Sequence, residues 1–508
     1  MIAGEILGER VRITPNKVAL VYVPTGERFT YSELNAHATA CAAHFSQLGI
    51  QKRERVGILA QNCVEYIVAF FAAGKSGVIL VPLNYRLTPH ELEGIARDAG
   101  LKALLFEKQY AETANLLRQR CGIAKLISLE DLLATQVGSA AEQPCAPEDP
   151  WCLLYTSGTT GKPKGVVIPH RQILANARNT AESWHLRDTD IAPIITPLCH
   201  AGGLAVFLTP LFLVGGTIVL HRGFDASEVW RTLEREKCTV LMAVPTIFKM
   251  MMEAPEFATT DISNVRWMIS GGAPLPLYIA ETYQRRGILF KLGYGLTEVG
   301  VNCFAISDED ALRKPGSIGK PIMFTEGKLI NAEGGEVGPN EICELCLRGD
   351  HVCAGYWNNP EATAAALDSE GWWHTGDTAR RDEQGFYYVT GRAKDMFISG
   401  GVNVYPAEIE SELLQHPAVQ DAAVIGVPDS KWGDQGVAFI VPRPAQNSLT
   451  ASDLISFLEG RLARYKVPRD FVFTDALPRT PYGKVVKGEL EEKYRVLHSL
   501  KAGTVRKE

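Results

Sequence analysis

Along the first part of the chain, hydrophobic and polar positions switch between two periods. Short apolar runs at 55–59, 78–82 and 103–106 predict strands, while 32–48, closed by Gly49, and 64–73 carry apolar residues at helical spacing. Thr88, Pro89 and Glu91 spell a helix start: a capping hydroxyl, a proline where no N–H is needed, and a glutamate placed to bond back to the cap. The pattern resumes with strands at 239–244, 265–270 and 288–292, separated by helices at 226–235 and 278–286. Strands and helices taking turns predict an α/β fold with mostly parallel sheets covered by helices.

The run 202–220 is apolar and about long enough to span a membrane. Thr209, Pro210, Gly215, Gly216 and Thr217 interrupt it, so a buried helix at 204–213, a glycine turn and a strand at 217–220 are predicted, with no transmembrane segment. The N-terminus, MIAGEILGER, carries acidic residues where a signal peptide has a basic start. The 11 cysteines are scattered and odd in number, which fits a reducing cytosol. Cys343 and Cys346 form a CxxC, but EICELCL alternates like a strand and places the two on opposite faces, against a metal site for that pair.

With 508 residues, 46% hydrophobic and 22% charged, the chain can bury large cores and is expected to hold at least two domains. Its net charge of −6 gives no reason to expect nucleic acid as the main partner.

Candidate chemistry concentrates between an apolar strand at 151–155 and a second at 165–168. Thr156, Ser157, Thr159 and Thr160 offer hydroxyls, Gly158, Gly161 and Gly165 let the backbone approach a ligand, and Lys162 and Lys164 add positive charge. Amides, hydroxyls and ammonium groups in one loop suit a polyphosphate, whose charge must be met by many donors. A Walker loop is excluded: Thr156 stands where it needs Gly and Pro163 where it needs Ser or Thr. Pro163 also argues that the loop links two strands instead of opening a helix. The alternative is a polar surface hairpin.

Ligands in such sheets bind beyond the carboxyl ends of the strands. Two of these ends carry Gly271-Gly272-Ala273-Pro274, small enough for a flat base, and Gly293-Tyr294-Gly295-Leu296-Thr297-Glu298, with an aromatic face, a hydroxyl and a carboxylate. Further along stand Cys199-His200, Trp372-Trp373-His374-Thr375-Gly376-Asp377, Gly391-Arg392, the paired Gly400-Gly401 before a helix at 408–414 opened by Pro406, and Pro478-Arg479-Thr480-Pro481-Tyr482-Gly483-Lys484. A strand at 385–390 leads into Gly391, and strands at 422–427 and 437–441 with a helix at 452–462 predict a compact α+β unit near the C-terminus.

These segments, in this order and over nearly the whole chain, resemble the adenylate-forming (AMP-binding) superfamily. Among its acyl-CoA synthetases the similarity is to bacterial fatty-acyl-CoA ligases, carried also by DEDALRKPGSIGKP (308–321), GRAKDMFISGGVNVYPAEIE (391–410) and RLARYKVPR (461–469). The resemblance implies a large N-terminal domain of several subdomains, residues 1–393, holding ATP and the acid, and a small mobile C-terminal domain, residues 394–508. It implies phosphate contacts from Thr156, Ser157, Gly158, Thr159, Thr160 and Lys164. Gly271, Gly272, Ala273 and Pro274 would border adenine, with Tyr294 stacked on it beside Gly295. Thr297 would contact the α-phosphate and Glu298 would hold Mg²⁺, a hard cation that prefers oxygen ligands. His200 would line the acyl site as a gate, Asp377 bind the ribose hydroxyls, and Arg392 contact ribose or phosphate. Lys394 would be the hinge, Gly400 and Gly401 would line the pantetheine tunnel, and Lys484 would be the catalytic lysine. Two positions depart from the family pattern: Lys394 where Asp is commoner, and Tyr482 where Ser, Thr or Asn is usual.

The implied reaction starts from a carboxylate already ionised at neutral pH, so attack on the α-phosphorus of ATP needs charge neutralisation and no general base. CoA then takes the acyl group from the acyl-AMP. Gly202, Gly203 and Gly300 leave room for a chain, while Val299 and Val301 equally shape a flat aryl site. No Asp that would anchor an amino group is evident near His200, which argues against amino-acid substrates. Arg461, Arg464, Lys466 and Arg469 either meet the CoA phosphates or form a solvated basic helix end. With no carrier domain after residue 508, free CoA is the expected acceptor. A carrier-protein ligase, a luciferase-like oxygenase and a non-enzymatic nucleotide binder stay open as alternatives, as does a homodimer.

Overall fold

The computed structural model describes residues 2–132, 145–156, 163–399, 402–429, 432–444, 449–480 and 485–504. Six strands form the sheet that carries the hydroxyl-rich loop, in the order Lys125–Ser128, Ala103–Phe106, Arg55–Leu59, Ile79–Leu83, Pro150–Thr156, Lys164–Pro169. The first five run parallel and the last is antiparallel, Thr156 facing Lys164. Ile79–Leu83 is buried at every position, as a central parallel strand must be when helices cover both faces. Trp151 anchors Pro150–Thr156: its ring is fully buried, stacks on Phe70 at 4.4 Å, and donates from Nε1 to the Phe70 carbonyl at 2.7 Å. That strand, and the loop start beyond it, are therefore held by the helix Val64–Ser76.

A second, four-stranded sheet joins Val18–Tyr22 and Glu27–Thr30 to Ile191–Ile194 and Thr217–Leu220. A third is wholly parallel, Val240–Ala243, Trp267–Ser270 and Phe290–Leu292. The alternation in the sequence thus corresponds to mostly parallel sheets in the N-terminal part. Local signals placed several elements closely. Thr88 and Glu91 form the reciprocal capping box, with Pro89 in the first turn of Pro89–Ala99, and Ala226–Arg235 keeps its predicted bounds.

Two expectations need correction, and two strands went unread. The single helix at 204–213 is two, Ala201–Ala205 and Leu208–Val214. Pro210 explains the break, because its ring would clash with the carbonyl four residues earlier, at Val206. The helix at 452–462 stops at Leu458, where Glu459 turns extended and Gly460 takes φ +80°. The sheet formed by Glu326–Ile330, Cys343–Arg348, Trp373–Arg381 and Tyr387–Arg392 is antiparallel; the alternation of EICELCL and the run at 385–390 point to its second and last strands, while Glu326–Ile330 and Trp373–Arg381 went unread.

Beyond residue 396, Phe397–Ser399, Val402–Val404, Val419–Asp429, Gly433–Pro442 and Asp470–Phe473 make a separate sheet. Its two apolar clusters draw only on this segment, among them Phe397, Ile409, Val424, Phe439, Leu454 and Leu490. Among the described residues no helix is long and apolar enough to cross a membrane.

Candidate active site

The parallel strands Trp267–Ser270 and Phe290–Leu292 end side by side, and Gly293 N donates to the Ser270 carbonyl at 2.8 Å. Their continuations therefore lie together. Gly271 is half-buried, Gly272, Ala273 and Pro274 are exposed, and Gly272 takes φ +81°, so this segment presents bare backbone beside the second loop. That loop folds back on itself through Leu296 N to Gly300 O at 3.0 Å and Cys303 N to Tyr294 O at 2.9 Å. The fold-back demands glycine at 295, where a Cβ would sit 2.3 Å from the Val301 carbonyl.

The turn presents Thr297 and Glu298, both half-buried. Gln172 Nε2 donates to the Thr297 carbonyl at 2.9 Å, and Cys353 N donates to the Glu298 carbonyl at 2.7 Å, fixing the backbone from two sides. Tyr356 OH donates to Glu298 Oε1 at 3.1 Å, and Lys164 Nζ lies 5.0 Å from the centre of the Tyr356 ring. Burial and the Glu298 charge push the Tyr356 phenol well up, so it stays a neutral donor. The segment bearing Tyr356 is laced to the strand Lys164–Pro169, with Val167 N on Gly355 O at 2.9 Å and Trp357 N on Gly165 O at 2.7 Å. Thr156, Lys164 and Glu298 are thereby brought to one place. Tyr356 was missed in the sequence because no motif chemistry surrounds it; its only signal is an aromatic after Gly355.

Asp377 is placed by a bulge. Cys346 pairs with His374, yet Glu344 pairs with Thr378, so residues between 374 and 378 are pushed out of register. Gly376 takes φ +69° there and donates its N–H to Glu344 Oε1 at 3.0 Å, while Thr375 Oγ1 donates to the Leu345 carbonyl at 2.6 Å. Asp377 is left buried, accepting from Tyr294 OH at 2.7 Å on one oxygen, with Arg392 Nε 3.4 Å from the other. Burial, then the Asp377 charge, push the Tyr294 phenol well up. Its ring meets Phe304 edge-on at 5.7 Å.

His200 stands half-buried at the position before the short helix Ala201–Ala205, with no side-chain bond to the helix end. Desolvation pushes its imidazole down to about 3, and the neighbouring Cys199 thiol, 3.6 Å away, up to about 12, so the pair is neutral at physiological pH. Beside it lies a cavity with about 20 Å³ open to the centre of a water molecule, lined by Phe70, Ile168, Gln172, Ala201, Thr297 and Gly300 among others. Gly203 is not there to make room for a chain: a Cβ on it would meet the Pro197 carbonyl oxygen at 2.4 Å.

A family model described as "AMP-binding enzyme" matches residues 7–357, and one described as "AMP-binding enzyme C-terminal domain" matches residues 408–484. The chain belongs to the AMP-binding enzyme family. Within it, this AMP-binding enzyme is an acid–thiol ligase of the acyl-CoA synthetase type. It is 37% identical to a feruloyl-CoA synthase of Amycolatopsis sp, over 96% of this chain and 97% of the relative. It is 36% identical to the long-chain-fatty-acid–CoA ligase FadD13 of Mycobacterium tuberculosis, over 97% and 98%. Among solved structures, a Mycobacterium tuberculosis fatty acyl CoA synthetase matches at a TM-score of 0.79 and 35% identity, covering 98% of this chain and 99% of that one. ATP-bound MatB from Rhodopseudomonas palustris matches at 0.89 and 28% identity, over 97% and 99%.

Lys394 of this AMP-binding enzyme is exposed in the turn Ala393–Asp395, which joins the antiparallel sheet to the C-terminal one. Within the C-terminal segment, Lys466 Nζ pairs with Glu408 at 2.7 Å, Arg461 lies 3.3 Å from Glu412, and Arg469 sits over the Trp432 ring at 4.6 Å. Three of the four basic residues are thus engaged inside their own domain. Ser157, Gly158, Thr159, Thr160, Gly400, Gly401 and Lys484 lie outside the described residues.

Proposed function

We propose that this enzyme activates a carboxylic acid, a medium- or long-chain fatty acid first, by forming an acyl-AMP from ATP and passing the acyl group to CoA. The observation that carries the reading is the convergence of Thr156, Lys164, Thr297 and Glu298 at one end of adjoining sheets, through Tyr356. Lys164 and the loop before it would meet the phosphates, Thr297 the α-phosphate, and Asp377 with Arg392 the ribose, while Gly271 to Pro274 would border adenine.

A single half-buried carboxylate suits Mg²⁺, which keeps waters and substrate phosphates as its other ligands, so Glu298 is the residue that would hold it. Bound there, Mg²⁺ would neutralise charge on the phosphates. Attack by the ionised acid on the α-phosphorus, with pyrophosphate leaving, needs positive charge at the transition state, the role carried over to Lys484 by its match to the family motif. In the second step the CoA sulfur attacks the acyl carbon and AMP leaves. Rotation about Lys394, bringing Gly400 and Gly401 to the pantetheine, would separate the two steps.

An aryl acid is the second reading, favoured by the identity to the feruloyl-CoA synthase and by the loss of Gly203 as a space-making residue. The eleven free thiols suit a reducing cytosol. The test is AMP release and thioester formation with ATP and Mg²⁺ across octanoate, palmitate, benzoate and ferulate, each with and without CoA. CoA-dependent AMP and acyl-CoA from the fatty acids support the first reading. Product from ferulate alone replaces it with the second, and acid-dependent pyrophosphate with no thioester on adding CoA overturns both.

A further inference from the structure

Outside the proposed nucleotide and acyl sites, one group of side chains has the makings of a metal centre. Glu344 and Cys346 on one strand and His374 on its neighbour each direct a donor atom to a common point, all within 4.8 Å of one another. Cys346 and His374 are direct cross-strand partners, and Glu344 lies on the same side two residues before Cys346. The CxxC of the sequence is not the unit here, for Cys343 takes no part.

We propose that Glu344, Cys346 and His374 bind a borderline-soft divalent cation of the Zn²⁺ class, and that its binding weakens the hold on the nucleotide by drawing charge from the Glu344 carboxylate that braces the Asp377 turn. Tetrahedral Zn²⁺ with nitrogen, oxygen and sulfur ligands places its donors about 3.3–3.8 Å apart, as its bond lengths require. His374 Nδ1 and Glu344 Oε2 are already 3.1 Å apart, so the main movement is of the Cys346 sulfur, by about 1 Å at most from its present reach. Both of those side chains are about three-tenths exposed, which gives an ion a way in and leaves a fourth position for water.

The other His374 nitrogen, Nε2, lies 3.9 Å from Asp368 Oδ2. A carboxylate on the far side of a ligating imidazole holds the ring and raises its basicity, the usual surroundings of a metal-bound histidine. On binding, the Cys346 S–H bond breaks, its proton passes to solvent, and a metal–sulfur bond forms. Thiolate and Glu344 carboxylate then balance the dication. Magnesium and calcium, which prefer all-oxygen ligand sets, are poor competitors for a site with imidazole and thiol donors.

Coupling follows from the second oxygen of Glu344. Oε1 accepts the Gly376 N–H that shapes the bulge before Asp377. A cation bound at Oε2 draws negative charge off this carboxylate, so Oε1 becomes a weaker acceptor and the hold on that N–H loosens without a large movement of Glu344. This half rests on the proposed ribose role of Asp377; the binding half does not.

The experiment titrates Co²⁺ into the full-length enzyme and reads the near-ultraviolet thiolate-to-metal absorption, then measures AMP formation with saturating Mg²⁺ at increasing Zn²⁺. The proposal expects the absorption to saturate at one equivalent and the KM for ATP to rise several-fold, up to about tenfold, as one charge-assisted hydrogen bond weakens. Both are expected to vanish in Cys346→Ala and in His374→Gln, the second guarding against misfolding of the first. The same absorption in both variants, or none in the parent, overturns the site. Absorption lost in the variants with an unmoved KM overturns the coupling alone. An enzyme that forms no AMP with any acid fails the functional reading, while the absorption still tests the site.

Discussion

Replacing Tyr294 by Phe isolates one contact on which the nucleotide site depends. The ring is buried against Phe304, and Phe keeps that packing and any stacking on a base. What is lost is the hydroxyl that donates to Asp377 Oδ2 at 2.7 Å. A hydrogen bond to a charged group contributes about 1.5–3 kcal/mol, and here the acceptor is buried, with Arg392 also near it at 3.4 Å. If Asp377 binds the ribose hydroxyls, kcat/KM for ATP falls about 10- to 100-fold. Steady-state AMP formation, with ATP and with 2′-deoxy-ATP, measures it. The deoxy nucleotide already lacks one partner of Asp377, so the two losses are less than additive. An unchanged kcat/KM for ATP, or equal losses with both nucleotides, refutes the reasoning.

Tyr356→Phe keeps the ring under Lys164 but removes the donor to Glu298 Oε1, so the Mg²⁺ concentration for half-maximal activity shifts several-fold while thermal stability moves little; an unmoved Mg²⁺ dependence counts against Glu298 as the metal ligand. Gly295→Ala forces a Cβ to within 2.3 Å of the Val301 backbone and is expected to cost about 1–3 kcal/mol in urea unfolding, with loss of activity. His170, fully buried against Trp151, has its imidazole held down to about 4 by desolvation. Its stabilising contribution is complete above the unfolded value near 6.5 and is lost as pH falls from there towards 4, about 3 kcal/mol in all. His170→Gln therefore flattens the stability profile between pH 6.5 and 4, read by urea unfolding at each pH.

How far the sequence was legible depended on the range of the interactions involved. The Thr88 capping box and the strand ends bearing Gly271 and Tyr294 rest on neighbours in the chain, and residue types reveal them. The break at Pro210 was also local, but the apolar run around it masked the consequence of its ring. Asp377 is different: its position comes from a bulge held by Glu344, and its partner Tyr294 stands in the loop that leaves a strand of another sheet. Tyr356 reaches Glu298 only because its segment pairs with the strand Lys164–Pro169. Gly203 read as space in an acyl pocket, yet its reason is contact with the Pro197 backbone, which no local pattern reports.

The central claim, that an acid is adenylated before any thiol takes part, is tested most directly by exchange of labelled pyrophosphate into ATP. The account predicts exchange that requires Mg²⁺ and a carboxylic acid, proceeds without CoA, and is abolished in Lys484→Ala. Exchange that appears only when CoA is present, or turnover that yields ADP and phosphate, would contradict it.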